Sequence, residues 1–307
     1  MKRLRQFAWA LLALAYLVAL APDFFSLYPP REQHRDYPYA APGRYGEARL
    51  VLLARAEPYR LLGVIPASLR LLAVRGSGGM FPLGTDEFGR DVYSRLCHGA
   101  STSLLLAPAA VLFSLALALA LGGLAGYAGG WTDGVIMRAG EVFLSLPWFY
   151  FVVALRAALP LNLSPRATLL MIFVLLGALG WAAPARLFRG LVLSLRTREY
   201  VLASAALGAG PLGVFTRHVL PALLPAARAQ LLLTLPAYII TEVSLSFLGL
   251  GVVEPTPTWG NLLTPLQQYV VLTAYPWMLA PAFAVIGVFL ALHTVADGGG
   301  RAEQARL

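Results

Sequence analysis

Few side chains in this 307-residue sequence could carry covalent chemistry, and their positions limit what that chemistry could be. Lysine occurs once, as Lys2, ahead of the first apolar stretch. A P-loop of the form G-x-x-x-x-G-K-[ST] uses a lysine to reach nucleotide phosphates, and a Schiff-base enzyme uses one as its nucleophile. Neither can be built here, so a chain that draws on ATP must leave hydrolysis to another polypeptide. Cys97 is the only cysteine, which excludes an internal disulfide. His34, His98, His218 and His293 are scattered, with no H-x-x-x-H or His-carboxylate spacing, so no metal site is expected. The acid that stands out is Glu242, inside an otherwise apolar stretch with Ser246 one turn on. An ionised carboxylate at membrane depth costs about 2.5–3.5 kcal/mol, so Glu242 should line a wet path or pair with a neighbouring helix unless it lies near the interface. A proton-coupled transporter would want such an acid, but the sequence has no inverted repeat and no second buried acid to complete a relay. A polytopic membrane enzyme would need several Ser, His, Asp or Glu side chains at that depth, and only Glu242 is so placed.

The elements that hold these residues follow from composition. Hydrophobic residues make up 58% of the chain and charged residues 13%, against roughly a quarter charged in an average soluble domain. Disorder, collagen and a water-soluble globule are excluded; an all-α integral membrane protein is predicted. A spanning helix needs about 20 mostly apolar residues, and six such stretches can be traced. They are Phe7 to Ala21, Thr102 to Tyr127, Glu141 to Leu159, Ala167 to Ala185, Ala229 to Gly251 and Tyr275 to Val295. The third has only 14 uncharged residues, between Glu141 and Arg156, and needs snorkelling ends. Lys2, Arg3 and Arg5 before the first stretch also suit a signal peptide, but Pro22, Asp23, Phe24 and Phe25 make a poor cleavage site, so an uncleaved anchor is expected. With the amino terminus inside, twelve basic residues fall on inner pieces and two, Arg156 and Arg166, in short outer loops. The other ten lie in the long segment after span one, which is exempt because long loops cross regardless of charge. The net charge of +9 therefore records topology and gives no reason to expect nucleic-acid binding, and both termini are predicted to be cytoplasmic.

Two loops carry further information. In the outer one, Glu47 to Val74 mixes leucines and arginines and could form one or two amphipathic helices at the membrane surface, broken at Pro58 and Pro66, or an ordinary external subdomain. Gly76 to Gly79 reads as a flexible break. After it, Thr85 is a candidate N-cap with Asp86 and Glu87 in the first helical turn; Arg90, Asp91 and Arg95 follow at pairing distance. This is either a solvated helix start or a docking surface for an external partner. The same choice applies to Pro257, Trp259 and Asn261 after span five. The inner loop, Arg186 to Arg228, is long enough to need a structure of its own. Within it TREYVLASAALG (197–208) has an N-cap candidate at Thr197, an early Glu199 and a stop at Gly208, Gly210 and Pro211. A second short helix, GVFTRHVL, precedes Pro221. The first helix is too apolar to lie naked in cytosol, so another protein should cover it. Pro108, Pro147, Pro160, Pro236 and Pro281 lie in or beside spans, as candidate hinges or as the ordinary prolines of membrane helices.

Four blocks resemble one family in family order: FPLGTDEFGRDVYSRL (81–96), GYAGGWTDGVIMR with EVFLSLP (126–147), EYVLASAALGAGPLGVFTRHVLP (199–221) and TEVSLSFLGLGVVEPTPTWGNLL (241–263). The family is the transmembrane subunits of binding-protein-dependent ABC importers, in particular the C-type permease of dipeptide and oligopeptide systems. The resemblance implies a six-span type I permease fold in a bacterial or archaeal cell (inner) membrane. It implies a second homologous permease chain, one or two cytoplasmic ABC ATPases that bind ATP and Mg in place of this chain, and an external substrate-binding protein; no cofactor is held here. Residues 199–221 correspond to the family's EAA loop, a helix-turn-helix inserted into a cleft on the ATPase. By position Glu199, Tyr200, Ala203, Ser204, Ala206, Leu207 and Gly208 fall on it, and Arg217, His218 and Pro221 close it. Leu202 stands where a glutamate is usual and Ser204 where an alanine is common. The implied organisation is 1–25 (inner terminus and first span), 26–101 (external segment), 102–297 (five-span core with the loop at 186–228) and 298–307 (inner tail). The implied cargo is a di- or oligopeptide, with nickel, glutathione or another small solute as the alternative within the same architecture.

Overall fold

The computed structural model describes residues 2–61, 65–145, 147–158, 164–252 and 254–304. Leu146, Leu159, Pro160 and Arg306, which enter the span and charge assignments above, lie outside them. The elements in chain order begin with α1 (Lys2–Leu20) and α2 (Pro22–Phe25), then the strands β1 (Gly43–Gly46), β2 (Arg49–Leu61), β3 (Ile65–Arg75) and β4 (Gly78–Phe81). Helices follow: α3 (Val92–Ala128), α4 (Gly130–Ser145), α5 (Trp148–Ala158), α6 (Pro165–Leu179), α7 (Ala182–Leu195), α8 (Glu199–Ala206), α9 (Pro211–Val214), α10 (Leu220–Phe247), α11 (Tyr269–Ala274) and α12 (Ala280–Gln304).

Among the described residues, four helices or continuous helical runs are long and apolar enough to cross a membrane, and up to six spans result if two bent pairs each count as one. Their apolar surface is turned mainly outward: only 17% of the α1 window is buried within the chain. The spans predicted third and fourth are not straight. Helices α4 and α5 meet at 89°, at a break before Trp148 where Pro147 cannot donate a backbone hydrogen bond. Helices α6 and α7 meet at 41° across Gly180 and Trp181. There the Tyr238 hydroxyl donates to the Leu176 carbonyl at 2.9 Å, and a Cβ on Gly180 would sit 1.7 Å from that hydroxyl oxygen.

Of the two readings of Glu47 to Val74, the amphipathic helices are not found among the described residues; the segment forms a β-hairpin. Strands β2 and β3 pair antiparallel from Arg49↔Arg75 to Leu61↔Ile65, with a register shift between Arg55 and Tyr59. Pro58 falls in that shift, where its missing N–H costs no ladder bond. The expected glycine break is a turn followed by a strand: Gly76 and Gly78 have φ of +103°, and β4 pairs with β1. The fold is helical with a small β portion between α1 and α3.

The chain separates into two compact units. Unit one comprises Met1–Ala107, Leu161–Leu169 and Ile239–Val295. Its cores are Leu27, Tyr28 and Phe81, ringed by Tyr37, Tyr45 and Tyr93, and Val92, Val271 and Met278, flanked by Tyr39 and Tyr275, whose rings stack 4.1 Å apart. Unit two comprises Pro108–Pro160, Leu170–Tyr238 and Ala296–Leu307. It is centred on Val192, Val219 and Leu223, with Tyr127 and Phe215 alongside. An Arg189–Asp133 ion pair joins α7 to α4.

Close approach of α3 and α7 in unit two depends on Gly122, where a Cβ would lie 2.3 Å from the Ala185 carbonyl oxygen. Gly122→Ala should therefore destabilise the protein by about 1–3 kcal/mol through overpacking. Gly134→Ala, on α4 with nothing within 4 Å, should be neutral or stabilise by up to about 1 kcal/mol. Thermal unfolding of the two variants in detergent separates these outcomes.

Candidate functional site

Two regions gather the residues singled out by sequence, one in each unit. In unit two the chain leaves α7 through a turn closed by Thr197, whose hydroxyl donates to the Ser194 carbonyl at 2.9 Å. Thr197 therefore finishes α7 and does not cap α8; the residue before α8 is Arg198, with extended backbone and no side-chain cap. Glu199 occupies the first turn of α8, favourable to the helix dipole. Gly208 follows α8 with φ of +88°, a left-handed conformation that stops the helix without a Cβ clash. The second helix does not end at Pro221: α9 passes through a π-turn (Phe215–Val219) straight into α10, and Pro221 lies just after that turn, inside the continuous helical run Pro211–Phe247.

The inner edge of α8 is tied down by buried Val201 and by Ser204, whose hydroxyl lies 3.1 Å from His218 Nε2; the rings of Tyr200 and His218 meet edge to face. Everything else on it faces outward. Tyr200 is 49% and Leu207 89% exposed, and Leu202, Ala203, Ala206, Leu212, Arg217 and Pro221 are exposed too. Ser204 thus supplies a bond between the two halves of the loop. Leu202 enlarges the open apolar face.

In unit one the charged residues before α3 do not begin a helix. Thr85 and Asp91 bridge across a tight turn. Within it the Phe88 and Arg90 amides donate to Asp86 Oδ1 at 2.9 and 3.0 Å. Asp91 is the N-cap of α3, its Oδ2 accepting from the Ser94 amide at 2.8 Å and the Ser94 hydroxyl at 2.6 Å. Thr85 instead receives the Ala40 amide. Burial pushes the Asp91 carboxyl up to about 6, against the opposing pull of the Ser94 hydrogen bonds. Arg90 Nε donates to Asp86 Oδ2 at 2.7 Å and its Nη1 to Glu254 Oε2 at 2.9 Å; Arg95 Nη2 donates to Glu254 Oε1 at 2.5 Å. Asp86, Arg90 and Asp91 are buried, and only Glu87 of that group is exposed, beside Phe88. Hence most of the charges expected to form a solvated or docking face are spent inside the chain.

The loop after α10 is likewise packed inward. Trp259 Nε1 donates to the Leu96 carbonyl at 3.1 Å, and the Trp259 amide to the Ser103 hydroxyl at 3.2 Å. Asn261 Nδ2 donates to the Thr256 and Val252 carbonyls, and Pro257 is buried. Glu242 is fully buried, with Oε1 accepting from Ser246 at 2.9 Å and the Ser103 side chain also within hydrogen-bonding reach. In unit one its side chain is enclosed by the chain itself. Glu254 and Ser103 were not picked out from sequence. A lone acid between two apolar runs was the available signal for Glu254.

The sequence profile of the family described as "Binding-protein-dependent transport system inner membrane component" matches residues 118–306. The chain belongs to this family. Its members are non-catalytic transport components. Over 216 residues, 70% of the permease, it is 37% identical to the dipeptide transport system permease protein DppC and 35% identical to the oligopeptide transport system permease protein OppC, both of Bacillus subtilis. These matches cover 65% and 68% of the relatives' lengths. It is also 35% identical over 215 residues to the nickel transport system permease protein NikC of Escherichia coli, covering 75% of that protein. The profile includes the 199–221 loop, Glu242 and Trp259 but stops short of the 85–91 turn.

Because the folded-state carboxyl of Asp91 lies above its ordinary value, the stability it contributes is full at low pH and is lost as pH rises through about 6. Relative to Asp91→Asn, which keeps a capping oxygen but does not titrate, the permease should lose stability between pH 4 and pH 7. Melting temperatures of both proteins across that range check the sign; a constant or growing advantage of the unsubstituted protein would contradict it.

Proposed function

We propose that the permease is the membrane-spanning subunit of an ATP-driven importer, forming with a second homologous permease chain the translocation path for di- or oligopeptides and coupling it to cytoplasmic ABC ATPases. The observation that carries this is the open apolar face of α8 and the turn after it, from Tyr200 to Leu212. Burying such a face against a partner is worth roughly 25 cal/mol per Å², and the helix is already anchored on its other side. In this reading the loop and both termini lie in the cytoplasm, on the basic side of a bacterial or archaeal cell membrane, and residues 26–101 lie outside. Toward an external binding protein Glu87 presents an open side chain, whereas Asp86, Arg90, Asp91, Pro257, Trp259 and Asn261 are buried; Phe88 and Glu254 are exposed near it in sequence or through Arg90. ATPase closure and the inward-to-outward change would each be favourable only with the other, which is a coupling free energy between two sites.

Similarity to DppC and OppC supports peptide as cargo. Comparable similarity to NikC supports nickel as the second reading. Uptake of labelled dialanine and of nickel by the reconstituted complex decides between them.

Ala203 is exposed in the chain by itself, so Ala203→Trp should leave its melting temperature unchanged. In the assembled importer it should lower stimulated ATPase activity and uptake roughly tenfold or more, the loss expected when a central interface position is blocked. Gly208→Pro, which cannot keep the φ of +88° that sets the turn after α8, should lower both activities as well by misplacing that helix. Normal transport by both variants would overturn the assignment of the loop.

A further inference from the structure

Among the described residues of unit one is a cavity of about 270 Å³ whose wall includes Arg90, Arg95, Glu254, Thr264 and Gln268. Arg95 is the unusual member. Its side chain is 1% exposed, yet Nη1 makes no hydrogen bond and Nε reaches no closer than 3.6 Å to Asp86 Oδ2. A buried guanidinium with an unused donor costs free energy unless something else occupies the space beside it. The group that holds Arg95 most firmly, the Glu254 carboxylate, is by contrast 41% exposed and bridges Arg95 Nη2 and Arg90 Nη1 with one oxygen each.

We infer that this cavity is a binding subsite for the carboxylate of a small ligand, and that Glu254 stands in for that carboxylate until the ligand displaces it. Charge dictates displacement over addition. With Glu254 in place the two guanidinium groups are balanced by Asp86 and Glu254, and a further anion gains nothing. With Glu254 swung outward, Arg90, Arg95 and Asp86 carry a net charge of one positive unit, matched by one carboxylate. That ligand can take both arginine contacts and the unused Nη1, because a planar guanidinium fork accepts a carboxylate in more than one donor pair. Glu87, also on the cavity wall, is exposed and suits a ligand that carries an ammonium as well, and Thr264 and Gln268 supply neutral hydrogen-bonding groups. A zwitterion such as a short peptide meets these requirements; its identification as peptide rests on the proposed function, whereas the carboxylate chemistry does not.

The test uses the full chain in nanodiscs with dialanine and dialanine amide as probes, and saturation-transfer NMR as the readout. Dialanine should give a signal that the amide does not. Glu254→Gln, which removes the stand-in charge, should bind dialanine roughly tenfold tighter, and Arg95→Gln should lose it. If Arg95→Gln does not fold, the Glu254→Gln titration still decides. Equal signals from acid and amide, or no gain in affinity in Glu254→Gln, would overturn the inference. Uptake by the complete importer separates this from the proposed cargo. An importer that carries nickel but no dialanine, with a chain that still distinguishes acid from amide, would overturn the peptide reading and leave the subsite standing. Dialanine uptake through a chain indifferent to the carboxylate would overturn the subsite alone.

Discussion

Two guanidinium groups at the start of α3 are withdrawn from water, and the arrangement of unit one follows from the need to pair them. A buried charge without a partner costs several kcal/mol. Arg90 and Arg95 share Asp86, from the turn just before them, and Glu254, about 160 residues later. The pairing therefore joins the beginning of α3 to the loop after α10. Around it neighbouring groups tie the same turns down: Asp91 caps the helix, Ser94 receives the Leu27 and Tyr28 amides, and Trp259 reaches the Leu96 carbonyl. The segment leaving α2 and the loop leaving α10 are thus both held to the same few turns of α3.

Unit two contrasts with this. There the glycines at 122 and 126 bring α3 against α7, Arg189 and Asp133 join α7 to α4, and the loop beyond α7 is fixed along one edge only. Val201 and the Ser204–His218 contact hold α8 in position while its apolar outer side stays bare. A short helix held firmly from behind can pass on a push better than a flexible one, which is what the proposed coupling to an ATPase asks of it.

The long spans could be read in the sequence because a bilayer demands runs of apolar residues, and α1, α3, α10 and α12 supply them without interruption. The loop could be read too, since its stop signals at Gly208, Gly210 and Pro211 are local. What escaped depended on distant contacts. Gly180 gives no hint in sequence that Tyr238 will approach it and bend the helix pair. Asp86 and Arg90 looked solvated because charge usually is, and their partner Glu254 lies far along the chain. In the 47–74 segment leucine and arginine fit a helical and an alternating period alike; Pro58 and Pro66 argued against a helix and were better guides than the composition.

The central claim is that the bare face of α8 is the surface through which this permease meets an ATPase. Its most direct test is a photocrosslinking residue in place of Leu207, 89% exposed in the chain alone, irradiated in native membranes. The account predicts one dominant adduct, with a chain carrying the P-loop that this sequence lacks. A residue that crosslinks only to lipid, or to no ATPase at all, would contradict it.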